Sequence, residues 1–177
     1  MTQDEQREGA IDAMLDKQAI TECLMRYARG IDRHDSAMVA SVYHEGAIDD
    51  HTVYIGPGKQ FAEQVNAAHD TIWTAHQHYV TNVTIELNGV EAHVESYWLV
   101  AGRRKADHAL DMHGGRYVDR FARRDGIWAI AARICAYEWS MRGEDVPGFL
   151  AGFPLGTQNE NDLSYRRPLV VERPNTC

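Results

Sequence analysis

YVTNVTIELNGVEAHVESYWLV, Tyr79 to Val100, is the stretch on which the fold turns. Its two halves alternate apolar and polar residues and are rich in β-branched and aromatic types, as strands with one buried face require. Between them stands Asn88-Gly89, a hairpin signal because both residues tolerate positive φ. The spacing predicts strands over Tyr79–Leu87 and Glu91–Val100. Two more are predicted over about Ala109–Arg123 and Ile127–Trp139, the first after a longer loop through GRRKAD and the second after Asp125-Gly126. The result is a meander of long antiparallel strands.

Upstream of this stretch the period is helical. Ile11, Met14, Leu15, Ala19, Ile20, Cys23, Leu24, Tyr27, Ala28 and Ile31 recur at spacings of three and four, which draws one apolar stripe on a helix that should stop near Gly30. A shorter helix is predicted from about Ser36 to Tyr43, with Asp35 or Ser36 as N-cap, and a third from Gln60 to about Thr74 after the turn IGPGKQ. Helices first and strands second make an α+β class. Gly, Pro, Asn and Asp dominate the segment beyond Ser140, yet Phe149, Leu150, Phe153 and Leu155 make it too apolar for a free linker. The expected organisation is one domain over 1–140 and a tail over 141–177 that packs on that domain or on a neighbouring subunit.

A chain of 177 residues, 44% hydrophobic, has room for one core. Its net charge of -8 argues against nucleic acid or an anionic membrane as partner, since both reward clustered Lys and Arg. The short basic runs GRRK, RFARR and YRRP are broken or flanked by acidic residues and read as solvated strand ends. Cys23, Cys135 and Cys177 form no CxxC pair and follow no secretory signal, and no apolar run reaches the roughly 20 residues that span a bilayer. A reduced, cytoplasmic protein is expected.

The chemistry-bearing residues are few. His78 stands at the mouth of a strand whose face would also carry Val80, Asn82 and Thr84; it is either a packed or solvated imidazole or the base of a site. Asp32, in YARGIDRHD, either projects from the helix end into the space the sheet encloses or, like Asp35, caps the next helix. A carboxylate beside an imidazole fixes its tautomer and lets it take a proton near neutral pH. Tyr27, five residues before Asp32, could bring a phenol to the same pocket. Arg133 lies among small apolar neighbours and either snorkels outward, the slightly preferred reading, or is buried against an anion or carboxylate. His113 shares a face with Asp111 and Tyr117 beside Gly114-Gly115, which suggest a bulge; Tyr43 and Tyr54 complete the expected lining. His76-x-His78 lacks the further ligands of a metal site, GPGKQ has neither phosphate-cradling glycine spacing, and no GxSxG elbow occurs, so neither metal nor cofactor is expected.

In order, AITECLMRYARGIDRHD, HYVTN, GGRYVDRFARRDGIWAIAARICAYEW and DLSYRRP resemble the SnoaL-like branch of the nuclear-transport-factor-two superfamily over roughly residues 10 to 168. That resemblance implies a cone-shaped α+β barrel, in which a strongly curved, mostly antiparallel sheet wraps the N-terminal helices around a deep pocket. Among its dehydratase and dehydrochlorinase relatives, an Asp at the end of the first helix pairs with a His at the start of the strand after the third helix, positions matched here by Asp32 and His78. Tyr27 resembles the pocket Tyr of bile-acid dehydratases, and Arg133, with Arg116 as competitor, matches a pocket Arg. The resemblance implies a cofactor-independent lyase, a dehydratase of a cyclic, largely apolar hydroxylated substrate, working as a homo-oligomer, trimer over dimer. An isomerase or cyclase, or a non-catalytic ligand carrier or dioxygenase small subunit, is the alternative.

Overall fold

The computed structural model describes residues 2–144, 157, 159–161 and 165. Helix α1, Gln3–Asp32, opens on a capping box in which Thr2 and Glu5 exchange side-chain and backbone hydrogen bonds. Only the second half of its apolar stripe is buried, from Ile20 through Cys23, Leu24 and Tyr27 to Ile31, while Met14 and Leu15 stay exposed. Gly30 does not end the helix. It lies inside it, where an added Cβ would meet Val39 Cγ2 at 2.7 Å, so its bareness admits α2, Ser36–Ala40, against α1. Asp35 caps α2 by accepting the Met38 N–H.

Six strands follow the order β2-β1-β6-β5-β4-β3. They are β1 (Tyr43–Asp50), β2 (Ile55–Pro57), β3 (Trp73–Asn88), β4 (Glu91–Arg104), β5 (Leu110–Arg124) and β6 (Ile127–Gly143), with α3 (Gly58–Ile72) between β2 and β3. The meander β3 to β6 forms as the alternation predicts, with β3, β4 and β6 longer than their sequence signals and β5 displaced by one residue; Asp125 and Gly126 both take positive φ at the last hairpin. β1 and β2 carry no such signal and were not expected. β1 runs parallel to β6, which makes the sheet mixed.

The expected cone-shaped barrel with a strongly curved, closed sheet is corrected: the sheet is open, with β2 and β3 as its two edges. β2 is three residues long and pairs only with β1, while the edge of β3 is met by the end of α1 rather than by another strand. The expected face of β3 is corrected as well. A register shift between Thr81 and Thr84, where Asn82 has φ of 49°, changes which residues point inward, so His76, His78 and Val80 are followed by Val83, Ile85 and Leu87. The bulge expected at Gly114-Gly115 is present.

Leu24, Val39, Phe61, Val94, Phe121 and Ile130 form the core between the helices and the inner face of the sheet. At one end Trp73 lies flat on β4, possible because Gly102 there has no Cβ to strike the indole. The boundary expected at residue 140 falls inside β6, and the docking expected of the tail lies outside the described residues apart from Tyr165, whose ring sits 4.9 Å under the Arg29 guanidinium.

Candidate active site

The last residue of α1 meets the free edge of β3. An edge strand presents unpaired N–H groups, and Asp32 takes one of them: both its oxygens accept the His78 backbone N–H, each at 3.0 Å. Asp32 Oδ1 also accepts from His78 Nδ1 at 2.7 Å. Three interactions from one carboxylate thus fix the ring's position and place its proton on Nδ1, leaving Nε2 as the lone-pair nitrogen. The side chains are 14% and 7% exposed, so the dyad is sheltered and still reachable.

His78 sits in a cluster of rings. His69 of α3 stacks on it with centroids 5.5 Å apart, and His76 meets it edge-on at 5.5 Å while stacking with His34. Burial, and then the neighbouring His78, push His69 down to about 2 and His76 to about 4. Both are therefore neutral at pH 7, so the two imidazoles packed on His78 add no charge beside it. Burial pushes Cys23 up to about 11 and Cys135 up to about 12, so neither supplies a thiolate nucleophile.

Asp32, His76 and His78 offer ligand atoms within 4.8 Å of one another, which is the donor set of a two-histidine, one-carboxylate metal site. Their arrangement fits a proton better. The 2.7 Å from Asp32 Oδ1 to His78 Nδ1 is a hydrogen-bond length, shorter than the roughly 3.3 Å between two ligands about 2.0 Å from a tetrahedral metal. His76 Nε2 meanwhile donates to the Ile31 carbonyl at 3.2 Å.

A cavity of about 750 Å³, lined by His51, Tyr54, Phe61, His69, Trp73 and His113 among others, opens beside the dyad. Arg104, Asp111 and Arg142 give it a polar rim, tied together by ion pairs to Asp111. A recess of about 30 Å³, which His78, Tyr27, Trp98 and Cys135 border, shares His51, His69, Trp73 and Tyr137 with the larger space. The recess admits one small polar group, and the body of a ligand belongs in the larger cavity. The indole N–H of Trp98 is buried there with no acceptor among the described residues.

Of the residues singled out from sequence, His78 and Tyr27 border the recess, Asp32 lines neither space and holds the His78 ring, and Tyr54 and His113 line the cavity. Tyr43 and Arg133 line neither. Tyr43 is buried, with its hydroxyl donating to Asp49 at 2.5 Å. Arg133 does not snorkel: it is 1% exposed, forks onto Asp119 with two bonds of 2.7 Å, and lies between the Tyr27 and Tyr117 rings, 4.2 and 4.1 Å from their centroids. The less favoured of the two sequence readings, burial against a carboxylate, is the one that holds, and the carboxylate comes from β5. Arg116 is held at the surface by Glu95 and Glu138. Sequence reasoning missed His51, Asp49, His69 and Trp73. The spacing Asp49-x-His51 was the available signal, since residues two apart on a strand share a face.

The protein-family model described as a SnoaL-like domain matches residues 12–134. Solved structures share the fold at low identity, among them the following three. Hexachlorocyclohexane dehydrochlorinase LinA-type3 from Novosphingobium barchaimii has a TM-score of 0.69 and 19% identity, over 78% of this chain and 95% of that one. A candidate scytalone dehydratase from Novosphingobium aromaticivorans has 0.66 and 18%, over 77% and 95%. A nuclear transport factor 2-like superfamily protein from Salmonella enterica serovar Typhimurium has 0.63 and 18%, over 80% and 99%. No curated protein matches the sequence. At such identities the likeness speaks to the fold, and the domain match, which covers most of the chain, says the rest: this protein belongs to the SnoaL-like domain family.

Proposed function

We propose that the protein is a cofactor-independent lyase, a dehydratase acting on a cyclic, largely apolar hydroxylated ketone. The observation that carries this reading is the Asp32 carboxylate bound to both the backbone N–H and Nδ1 of His78, which presents an oriented imidazole at the recess. His78 Nε2 takes a proton from the carbon next to the carbonyl, the C–H electron pair becomes the new C=C bond, and the C–O bond on the next carbon breaks with its electron pair departing on the hydroxyl oxygen. Tyr27 holds a hydrogen bond to the departing oxygen. Burial raises the Tyr27 phenol well above its ordinary value, so it acts as a donor and never as a base. The apolar cavity takes the ring system of the substrate, in keeping with the dehydrochlorinase and dehydratase names among structures of this fold.

The exposed apolar residues of α1, Met14 and Leu15, belong in this reading to an interface between copies of the chain, a trimer before a dimer, and the working compartment is the cytoplasm. A β-hydroxy ketone such as 3-hydroxy-1-tetralone tests the reaction, because loss of water followed by tautomerisation gives fluorescent 1-naphthol. His78→Ala should lower turnover by roughly 10²–10⁴-fold with an unchanged circular dichroism spectrum. A folded variant that turns over at the wild-type rate ends the proposal.

A further inference from the structure

Behind Tyr27, on another wall of the recess, stand a second carboxylate and imidazole, Asp49 and His51, which the reading above does not use. His51, just past the end of β1, directs Nδ1 at Asp49 Oδ1. Its Nε2 lies 3.4 Å from the Tyr27 hydroxyl. The ring is clamped flat on Phe61, centroids 4.2 Å apart, and is one of the residues shared by recess and cavity.

Charge pairing points to what this group is for. Three formal charges are buried behind this wall: Asp49, Asp119 and Arg133. Arg133 is committed to Asp119 by its two-pronged bond, so that pair is neutral. Asp49 is wholly buried, and its described partners are the Tyr43 hydroxyl, which carries no charge, and His51. A buried carboxylate is costly unless a cation meets it, and a protonated His51 is the cation the geometry supplies. The imidazolium then has one N–H on Asp49 and the other directed at the Tyr27 oxygen.

We propose that Asp49, His51 and Tyr27 form a second proton-transfer arm, in which the His51 imidazolium reprotonates Tyr27 as Tyr27 protonates the departing hydroxyl of a β-hydroxy ketone. This rests on the lyase reading and deepens it. The Tyr27 O–H proton goes to the leaving oxygen, which departs as water with the C–O electron pair; the His51 Nε2 proton goes to the Tyr27 oxygen; His51 ends neutral and Tyr27 unchanged. His78 meanwhile holds the proton taken from carbon, and exchange of both histidines with solvent resets the site. A buried phenol resists ionisation, so Tyr27 can donate only if it is resupplied in the same event, and His51 Nε2 is within reach of its oxygen. The 3.4 Å separation is long for a hydrogen bond, as is usual before a substrate tightens a site. Asp49 is a positioning residue: it holds the His51 tautomer through Nδ1.

The two arms separate experimentally, because removal of a carbon proton needs His78 alone while loss of hydroxide also needs a proton donor. Deuterium exchange at C2 of 1-tetralone, followed by NMR, reads the first; 1-naphthol formation from 3-hydroxy-1-tetralone reads the second. His51→Gln should lower 1-naphthol formation by about 100-fold or more and exchange by less than about tenfold. Asp49→Asn, which keeps the shape of the side chain, should split the two readouts in the same direction and carries the test if His51→Gln does not fold. His78→Ala should lose both. Wild-type elimination in both His51→Gln and Asp49→Asn overturns the proposal, and so does an equal loss of exchange and elimination, which would mark a structural role. A wild-type protein that neither exchanges nor eliminates overturns the lyase reading itself, and the proposal falls with it.

Discussion

Replacing Asp32 by Asn tests the dyad with the least change in shape. The carboxylate accepts from two donors, the backbone N–H and the Nδ1–H of His78. An amide of the same size keeps one acceptor oxygen and turns an N–H2 toward a site built for donors. Two outcomes are open to the ring. It either keeps its proton on Nδ1 and loses a partner, or it accepts the amide N–H at Nδ1 and moves its own proton to Nε2, which removes the lone pair that takes the substrate proton. A hydrogen bond to a charged group contributes about 1.5–3 kcal/mol, and Asp32 is 14% exposed, so water offsets part of the loss; the expected cost in stability is about 2 kcal/mol, or ~4–8 °C in Tm. The rate should fall by roughly 10²–10⁴-fold, equivalent to about 3–5 kcal/mol in the barrier. Urea denaturation gives the first number, 1-naphthol fluorescence the second, and nitrogen-15 NMR of the histidines identifies the tautomer. An Asp32→Asn protein that turns over within tenfold of wild type would refute the reasoning, because the tautomer would then not matter.

Two further outcomes follow from buried charge. Arg133→Met leaves Asp119 without its cation in a fully buried position and should cost about 3–5 kcal/mol in urea denaturation, whereas Arg133→Met with Asp119→Leu should recover most of that loss; a single variant costing under about 1 kcal/mol would show that the pair does not hold the sheet. Acidification should destabilise the protein through His69 and His76. Both are held neutral in the fold while the unfolded chain binds a proton near 6.5, so stability falls as pH drops below about 6.5, by about 1.4 kcal/mol per pH unit for each. The His76 contribution levels off near pH 4 and that of His69 continues toward 2, and Tm measured against pH should flatten between 6.5 and 4 in His69→Leu relative to wild type.

Apolar periodicity made the three helices and the strands β3 to β6 legible, because each buries one regular stripe or face. β1 was not, for the residues it turns inward include Asp49, and Gly46 at φ of 75° interrupts it. On β3 the alternation was read correctly as far as Val80 and lost at Asn82, where one left-handed residue shifts the register; no composition announces such a shift. Asp32 and His78 were legible as chemical types at an element's end and an element's start, but their meeting depends on a helix reaching a sheet edge 46 residues later in the chain. Asp49-x-His51 was visible only as a local pair, and its partner Tyr27 lies 24 residues away on a different element.

The open edge of the sheet and the oriented histidine are one feature. Where a strand is paired on both sides, its N–H groups alternate between two neighbours and all are taken. β3 has β4 on one side only, so the His78 N–H points to space that no strand fills, and an unpaired buried N–H costs about 1–3 kcal/mol. Asp32 relieves that cost, and in doing so its carboxylate comes to rest 2.7 Å from the ring of the same residue. A strand closing the sheet at this edge would take the N–H and leave Asp32 with the ring alone, free to swing. The backbone bond supplies two of the carboxylate's three contacts and costs the catalytic ring nothing, so the orientation of the base is set by the need of an edge strand to satisfy its own main chain.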